Sequence, residues 1–149
     1  MPCRDQHEPV GVVAGGLSAA FLADRANGSP FVEGIGGALG GWLGARLPDI
    51  VDPPLSPRHR SVGHGVVPTL AALRILAGQI PRWQASLRQK ADELTAAQLA
   101  NAGAGQLPWN RLLAFCCLLL SGAVVGLVVG YATHLYMDAM TASGLPFIA

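Results

Sequence analysis

Four apolar stretches of unequal strength organise the chain. The strongest, LLAFCCLLLSGAVVGLVVGYATHLYM at residues 112–137, holds no Asp, Glu, Lys or Arg and exceeds the roughly 20 residues that a bilayer requires. Residues 10–23 are uncharged but short, residues 31–47 carry Glu33 and Arg46, and residues 62–80 carry Arg74. Each of these three alone would pass as a buried or re-entrant helix. Beside an unambiguous span they predict an all-α integral membrane protein, a small bundle of about four transmembrane helices. The texture then changes. Residues 81–110 read PRWQASLRQKADELTAAQLANAGAGQLPWN, in which helix formers over 83–99 predict an exposed or interfacial helix and NAGAGQLP predicts its end. The expected organisation is therefore one membrane-embedded domain, 1–149, with a polar helical insert at 82–110 between the third and fourth helices.

The glycines sharpen this picture. In GIGGALGGWLGA, Gly36, Gly40 and Gly44 fall on one helical stripe and Gly37, Gly41 and Ala45 on the next, the small-xxx-small pattern that lets membrane helices approach closely. A phosphate-cradling loop is the competing reading, but no GK[ST] follows and no strand precedes. Trp83 and Trp109 suit an aromatic belt at the membrane boundary.

Composition agrees with a membrane setting. The chain is 51% hydrophobic and 13% charged, about half the charge of an average soluble domain. A net charge of +1 with ten Lys and Arg supplies no basic stripe for a run of phosphates, which argues against nucleic acid as a partner. Cys3, Cys116 and Cys117 show no CxxC spacing and read as small apolar fillers. The leader MPCRDQHEP sets Arg4 against Asp5 and Glu8, so the positive region of a signal peptide is missing and residues 10–23 read as a retained first helix.

Polar chemistry concentrates in LPDIVDPPLSPRHRSVGHGVV, residues 47–67. Threading four helices up and down through a bilayer explains what this stretch could meet. The first helix starts on a near face after His7, the second returns there at Pro48, and the fourth reaches it at His134 and Asp138. All four histidines, with Asp49, Asp52, Arg58 and Arg60, then gather at one face. His134 and Asp138 are i and i+4, so they share a helical face, and ionisable groups at such a place are functional candidates. A hydrogen-bonded pair at the interface is the plainer reading. Charges on the far face, Arg25, Arg82, Arg88, Lys90 and Arg111, outnumber Arg4, Arg46, Arg58 and Arg60 on the near face, which leans toward a cytoplasmic far face and a near face turned outward. Arg88 and its neighbours read most simply as a solvated surface.

Imidazole and carboxylate donors suit zinc or another divalent first-row metal, manganese or iron included, with about three protein ligands and a position left for water. His7, Asp49, Asp52, His59, His64, His134 and Asp138 are more than one ion needs. Two ions would activate water and clamp a phosphoryl group, and Arg60 suits an anionic oxygen.

LPDIVDPP, HRSVGH and THLYMDAMTASGLP together resemble the membrane-bound metal-dependent hydrolase family, also described as LexA-binding, inner-membrane-associated hydrolases. Its members look like small helical membrane proteins with an early histidine, a PDxD-like turn, an HRxxxTHS-like element, and an HxxxD followed by T-x-x-G. His7 is similar to the early histidine. Asp49 and Asp52 match the acidic turn, with Asp52 displaced by one residue. His59, Arg60 and His64 match the HR and H positions, and His134, Asp138, Thr141 and Gly144 match the closing elements. Gly63 and Gly65 stand where the family carries Thr and Ser. The resemblance covers nearly the whole chain except the polar insert.

The resemblance implies a hydrolase of the bacterial inner (cytoplasmic) membrane. In it a divalent metal, zinc first, is held by His7, Asp49, Asp52, His64, His134 and Asp138, with His59 and Arg60 assisting catalysis. A phospholipid or other phosphoester at the membrane surface is the natural substrate. The alternative is a non-enzymatic membrane subunit or scaffold that packs through its glycine-rich helices as a homo- or hetero-oligomer, any metal being structural.

Overall fold

The computed structural model describes residues 4–51, 66–100 and 109–140, which form four helices and, among the described residues, no strand. These are α1 (Arg4–Arg25), α2 (Pro30–Val51), α3 (Val66–Ala100) and α4 (Trp109–Ala139). Short local signals mark the first connection. Asn27 takes φ of 52°, a left-handed conformation that Asn tolerates, and the Gly28 N–H returns to the Ala23 carbonyl at 2.7 Å. Pro30 then opens α2 where a missing N–H costs nothing.

Glycine sets the register of the bundle. A methyl group on Gly36, Gly40 or Gly44 would run into the carbonyls of Leu119, Ala123 and Leu127, and one on Gly122, Gly126 or Gly130 into those of Glu33, Gly37 and Gly41. Both series rise together, so α2 and α4 run parallel, each helix fitting its glycines to the other's backbone. Gly11 lies against Gly41 and Gly15 against Gly37, which makes α1 antiparallel to α2. Ile80 packs in one cluster with Val125 and Gln84 reaches Ser121, so α3 is antiparallel to α4. This is the up-down-up-down order expected. Both glycine stripes of α2 are consumed inside the chain, one by α4 and the other by α1.

Burial is inverted relative to a water-soluble bundle. The interior face of α2 is Glu33, five glycines, Ala45 and Pro48, while Phe31, Ile35, Leu39, Trp42, Leu43 and Ile50 point outward. Val13, Leu17 and Phe21 of α1 are likewise exposed. Such an arrangement is unfavourable in water and suited to lipid, where helix association rests on close packing and polar contacts. Among the described residues, α4 is the one helix long and apolar enough to cross a membrane by length and composition. It lies at the centre, packed on each of the other three.

The polar insert expected at 82–110 differs in form. α3 runs unbroken from Val66 to Ala100 through Pro81, about 52 Å of helix, so the polar segment is the second half of the third helix as far as residue 100. Pro81 removes one backbone hydrogen bond, but strong helix formers on its C-terminal side carry the helix on. Beyond it, Lys90 and Gln89 both donate to Glu93, and these hydrogen bonds hold the Glu93 carboxyl below its ordinary range.

Candidate functional site

The parallel run of α2 and α4, with α1 reversed, brings the start of α1 to the ends of the other two. His7, Asp49, His134 and Asp138 meet there. His134 is 2% exposed and His7 and Asp138 are buried with it, while Asp49 is partly exposed. The His134 Nε2 lies 3.6 Å from Oδ2 of Asp138 and 3.7 Å from Oδ1 of Asp49. His7 Nε2 is 3.8 Å from the other oxygen of Asp138. The two imidazole rings face each other with centroids 4.2 Å apart.

The backbone fixes how His134 presents itself. Its Nδ1 lies 2.6 Å from the Ala45 carbonyl oxygen. A carbonyl only accepts, so Nδ1 carries a proton and donates it, and Nε2 is the ring nitrogen turned toward the carboxylates. Pro48 sits in the next part of α2, buried and without an N–H. It therefore offers no donor to the Gly44 carbonyl four residues back, one residue before Ala45.

The three imidazole-to-carboxylate distances, 3.6–3.8 Å, are longer than the about 2.7–3.2 Å of a hydrogen bond. Instead, one donor atom each from His7, His134 and Asp138 lies within 4.8 Å of the others, an arrangement able to hold a metal ion. The Asp49 carboxylate lies beside them, 3.7 Å from His134. Two carboxylates and two imidazoles therefore converge where α1, α2 and α4 meet, three of the four side chains buried.

Beside this cluster is a clamp that sequence reasoning passed over. Glu8 accepts from Arg46 Nε at 2.7 Å and from the Trp42 indole N–H at 2.9 Å, and the Arg46 guanidinium lies over the Trp42 ring at 4.3 Å. It ties the residue after His7 to the residue after Ala45.

A second polar cluster occupies the opposite end. Glu33 is fully buried and meets Arg88 through both carboxylate oxygens, at 2.9 Å to Nε and 2.8 Å to Nη2. Ser121 Oγ donates to it at 2.7 Å. Arg88, expected on a solvated surface, is thus an interior partner with a side chain 16% exposed. The signal was a lone carboxylate among glycines in an apolar helix, a group that must find a cation.

Of the residues expected to form the site, the structure places His7, Asp49, His134 and Asp138 together. Asp52, His59, Arg60 and His64, with Thr141 and Gly144, lie outside the described residues.

The fold and this cluster define a class: a small all-helical membrane protein with a buried His–Asp constellation at one face. The sequence model of the YdjM inner membrane protein family matches residues 1–149. The chain belongs to that family, and is an inner-membrane protein. No curated protein and no solved structure matches it.

Proposed function

We propose that this protein is a membrane-bound metal-dependent hydrolase acting on phosphoesters at the membrane surface. The observation that carries the reading is the spacing of the His7, His134 and Asp138 donor atoms. A tetrahedral ion with bonds of about 2.0–2.2 Å holds its ligands roughly 3.3–3.6 Å apart; the His134 to Asp138 distance of 3.6 Å matches that span, His7 to Asp138 is 3.8 Å, and all three donors fit within 4.8 Å.

His7 and His134 would supply neutral nitrogen donors, and Asp138 and Asp49 the negative charge that a divalent cation balances. The Ala45 carbonyl keeps His134 in the tautomer that ligation requires. When bound, zinc, or manganese or iron in its place, supplies a Lewis acid and lowers the pKa of a water molecule. Asp52 and His64 complete the donor set implied by the family resemblance, and His59 and Arg60 would assist at the leaving group or the anionic oxygen. The scaffold reading has less support, since the α2 glycine stripes on which it rests are already filled by α1 and α4.

The test is elemental analysis of purified full-length protein beside a His134→Ala, Asp138→Ala double variant, with hydrolysis of bis(4-nitrophenyl) phosphate followed in parallel. The reading expects metal and turnover in the wild type and loss of both in the variant. Wild-type protein that takes up no zinc, manganese or iron defeats it.

A further inference from the structure

Two arginine–glutamate pairs tie the helices of this bundle, and they spend the guanidinium differently. At the far end Arg88 turns Nε and Nη2 to the two oxygens of Glu33, a fork on a fork that occupies both partners. At the near end Arg46 gives Glu8 its Nε alone, at 2.7 Å. The other Glu8 oxygen takes the Trp42 indole N–H at 2.9 Å, so the indole stands where a second guanidinium nitrogen would bond. Among the described residues, Nη1 and Nη2 of Arg46 have no acceptor. The open end of a planar donor fork is left over.

That fork is held still and partly open to its surroundings. The Trp42 ring lies under it at 4.3 Å, Glu8 fixes its Nε, and 30% of the side chain is exposed. An arginine immobilised beforehand loses little freedom when it takes a ligand. Its place matters as much. Trp42, Arg46 and Asp49 are i, i+4 and i+7 and share one face of α2. Asp49, at the end of that face, lies 3.7 Å from His134, and residues one turn apart have Cβ atoms about 5–6 Å from each other, a separation that an arginine side chain spans. Val51, where α2 ends, is about 8 Å of helix beyond Arg46, which sets the guanidinium toward the head-group region and away from the bilayer centre.

A planar fork of this kind matches an oxyanion with two oxygens in one plane. A carboxylate gripped by both oxygens has none left for a neighbouring cation. A phosphoester has oxygens for the fork and for the histidine–aspartate cluster together. We propose that Arg46 is a substrate-binding residue of the near-face site and holds phosphoryl oxygens through Nη1 and Nη2. That it binds a phosphoryl anion stands on the clamp; that the anion is the substrate rests on the hydrolase reading.

The test is calorimetric titration of full-length protein in detergent, preloaded with zinc and freed of excess, with inorganic phosphate and with dihexanoylphosphatidylglycerol. Arg46→Lys keeps the charge beside Glu8 and loses the fork; it is expected to weaken binding about tenfold with zinc content and unfolding midpoint unchanged. Weakening for the lipid alone makes a lipid head group the ligand, and weakening for phosphate alone makes it the free anion. Glu8→Gln keeps an acceptor for the clamp and removes a negative charge beside the fork, so it is expected to tighten binding about threefold. Arg46→Lys protein that binds both ligands as tightly as wild type overturns the proposal. So does Glu8→Gln protein that loses affinity in step with Arg46→Lys, because the clamp then acts through the fold alone.

The two readings fail separately. Protein that takes up no metal and hydrolyses nothing, yet binds phosphate through Arg46, removes the hydrolase and leaves the anion site. Turnover of bis(4-nitrophenyl) phosphate with a KM that Arg46→Lys does not move removes Arg46 and leaves the hydrolase. If both hold, Arg46→Lys should raise that KM about tenfold with kcat nearly unchanged, the pattern of a grip made equally in the ground and transition states.

Discussion

The two ends of the bundle both bury carboxylates, and they treat them in opposite ways. At the far end Glu33 has a guanidinium on both oxygens at 2.8–3.2 Å and the Ser121 hydroxyl at 2.7 Å. At the near end Asp49 and Asp138 face imidazoles at 3.6–3.8 Å, beyond hydrogen-bond range. One end is closed, with charge cancelled and acceptors occupied. The other keeps its donors apart around a common centre. The contrast separates a carboxylate that joins helices from carboxylates held at a distance from their imidazole neighbours, and each prediction below is a way to break or sharpen it.

The largest effect is expected at the closed end. Arg88→Ala leaves Glu33 without its counter-ion in the interior, which costs about 3–5 kcal/mol when one partner of a buried pair is removed. Unfolding in detergent should show that loss. Replacing both partners, Glu33→Leu with Arg88→Leu, should restore much of it, since the cost lies in the stranded charge. A single variant as stable as wild type would mean that Glu33 is not the buried carboxylate described.

Next comes the open end, with the opposite sign. Zinc at about 100 times its dissociation constant should stabilise the wild type by about 2.7 kcal/mol, read as a rise in the unfolding midpoint. Asp138→Asn should abolish that rise. In chelator the same variant should lose far less stability than the about 3–5 kcal/mol expected of Arg88→Ala. Marked destabilisation in chelator would make the near cluster another structural tie, and the contrast would collapse.

How far each end was legible in the sequence follows from what sets it. His134 and Asp138 were readable because i and i+4 on one helix is a local relation. Joining them to His7 and Asp49 needed the helix count and alternating direction, both visible in the apolar stretches and the glycine spacing. Glu33 with Arg88 was not readable in that way. The pair links positions 55 residues apart, and Arg88 sits among Arg82, Lys90, Asp92 and Glu93, a run indistinguishable by composition from a solvated face. The continuity of α3 was hidden for another reason: Pro81 and the change in polarity there both imitate a helix end, and backbone propagation overrode them.

Between the two ends, glycine packing keeps the distances that the comparison depends on. Gly126 lies midway along α4 with the Gly37 carbonyl against it, so Gly126→Ala must push α2 from α4 at a cost of about 1–3 kcal/mol. The displacement should reach both ends, weakening zinc uptake as well as stability, since Asp49 is carried by α2 and His134 by α4. Stability lost with zinc affinity intact would show the near cluster to be positioned independently of the glycine interface.

The smallest effect is expected at the clamp beside the open end. Trp42→Phe keeps an aromatic surface under Arg46 but removes the indole N–H that donates to Glu8 at 2.9 Å. Because this contact is partly exposed to its surroundings, the loss should be about 0.5–1.5 kcal/mol, the net worth of one hydrogen bond. The informative readout is zinc affinity. Glu8 follows His7 on α1, and Arg46 follows Ala45, whose carbonyl orients His134, so the clamp holds together the two backbones that aim the imidazoles. If it serves that purpose, zinc binding should weaken more than stability does. If the two fall in proportion, Glu8, Trp42 and Arg46 only fasten α1 to α2, and the near end owes its geometry to the glycine interface alone.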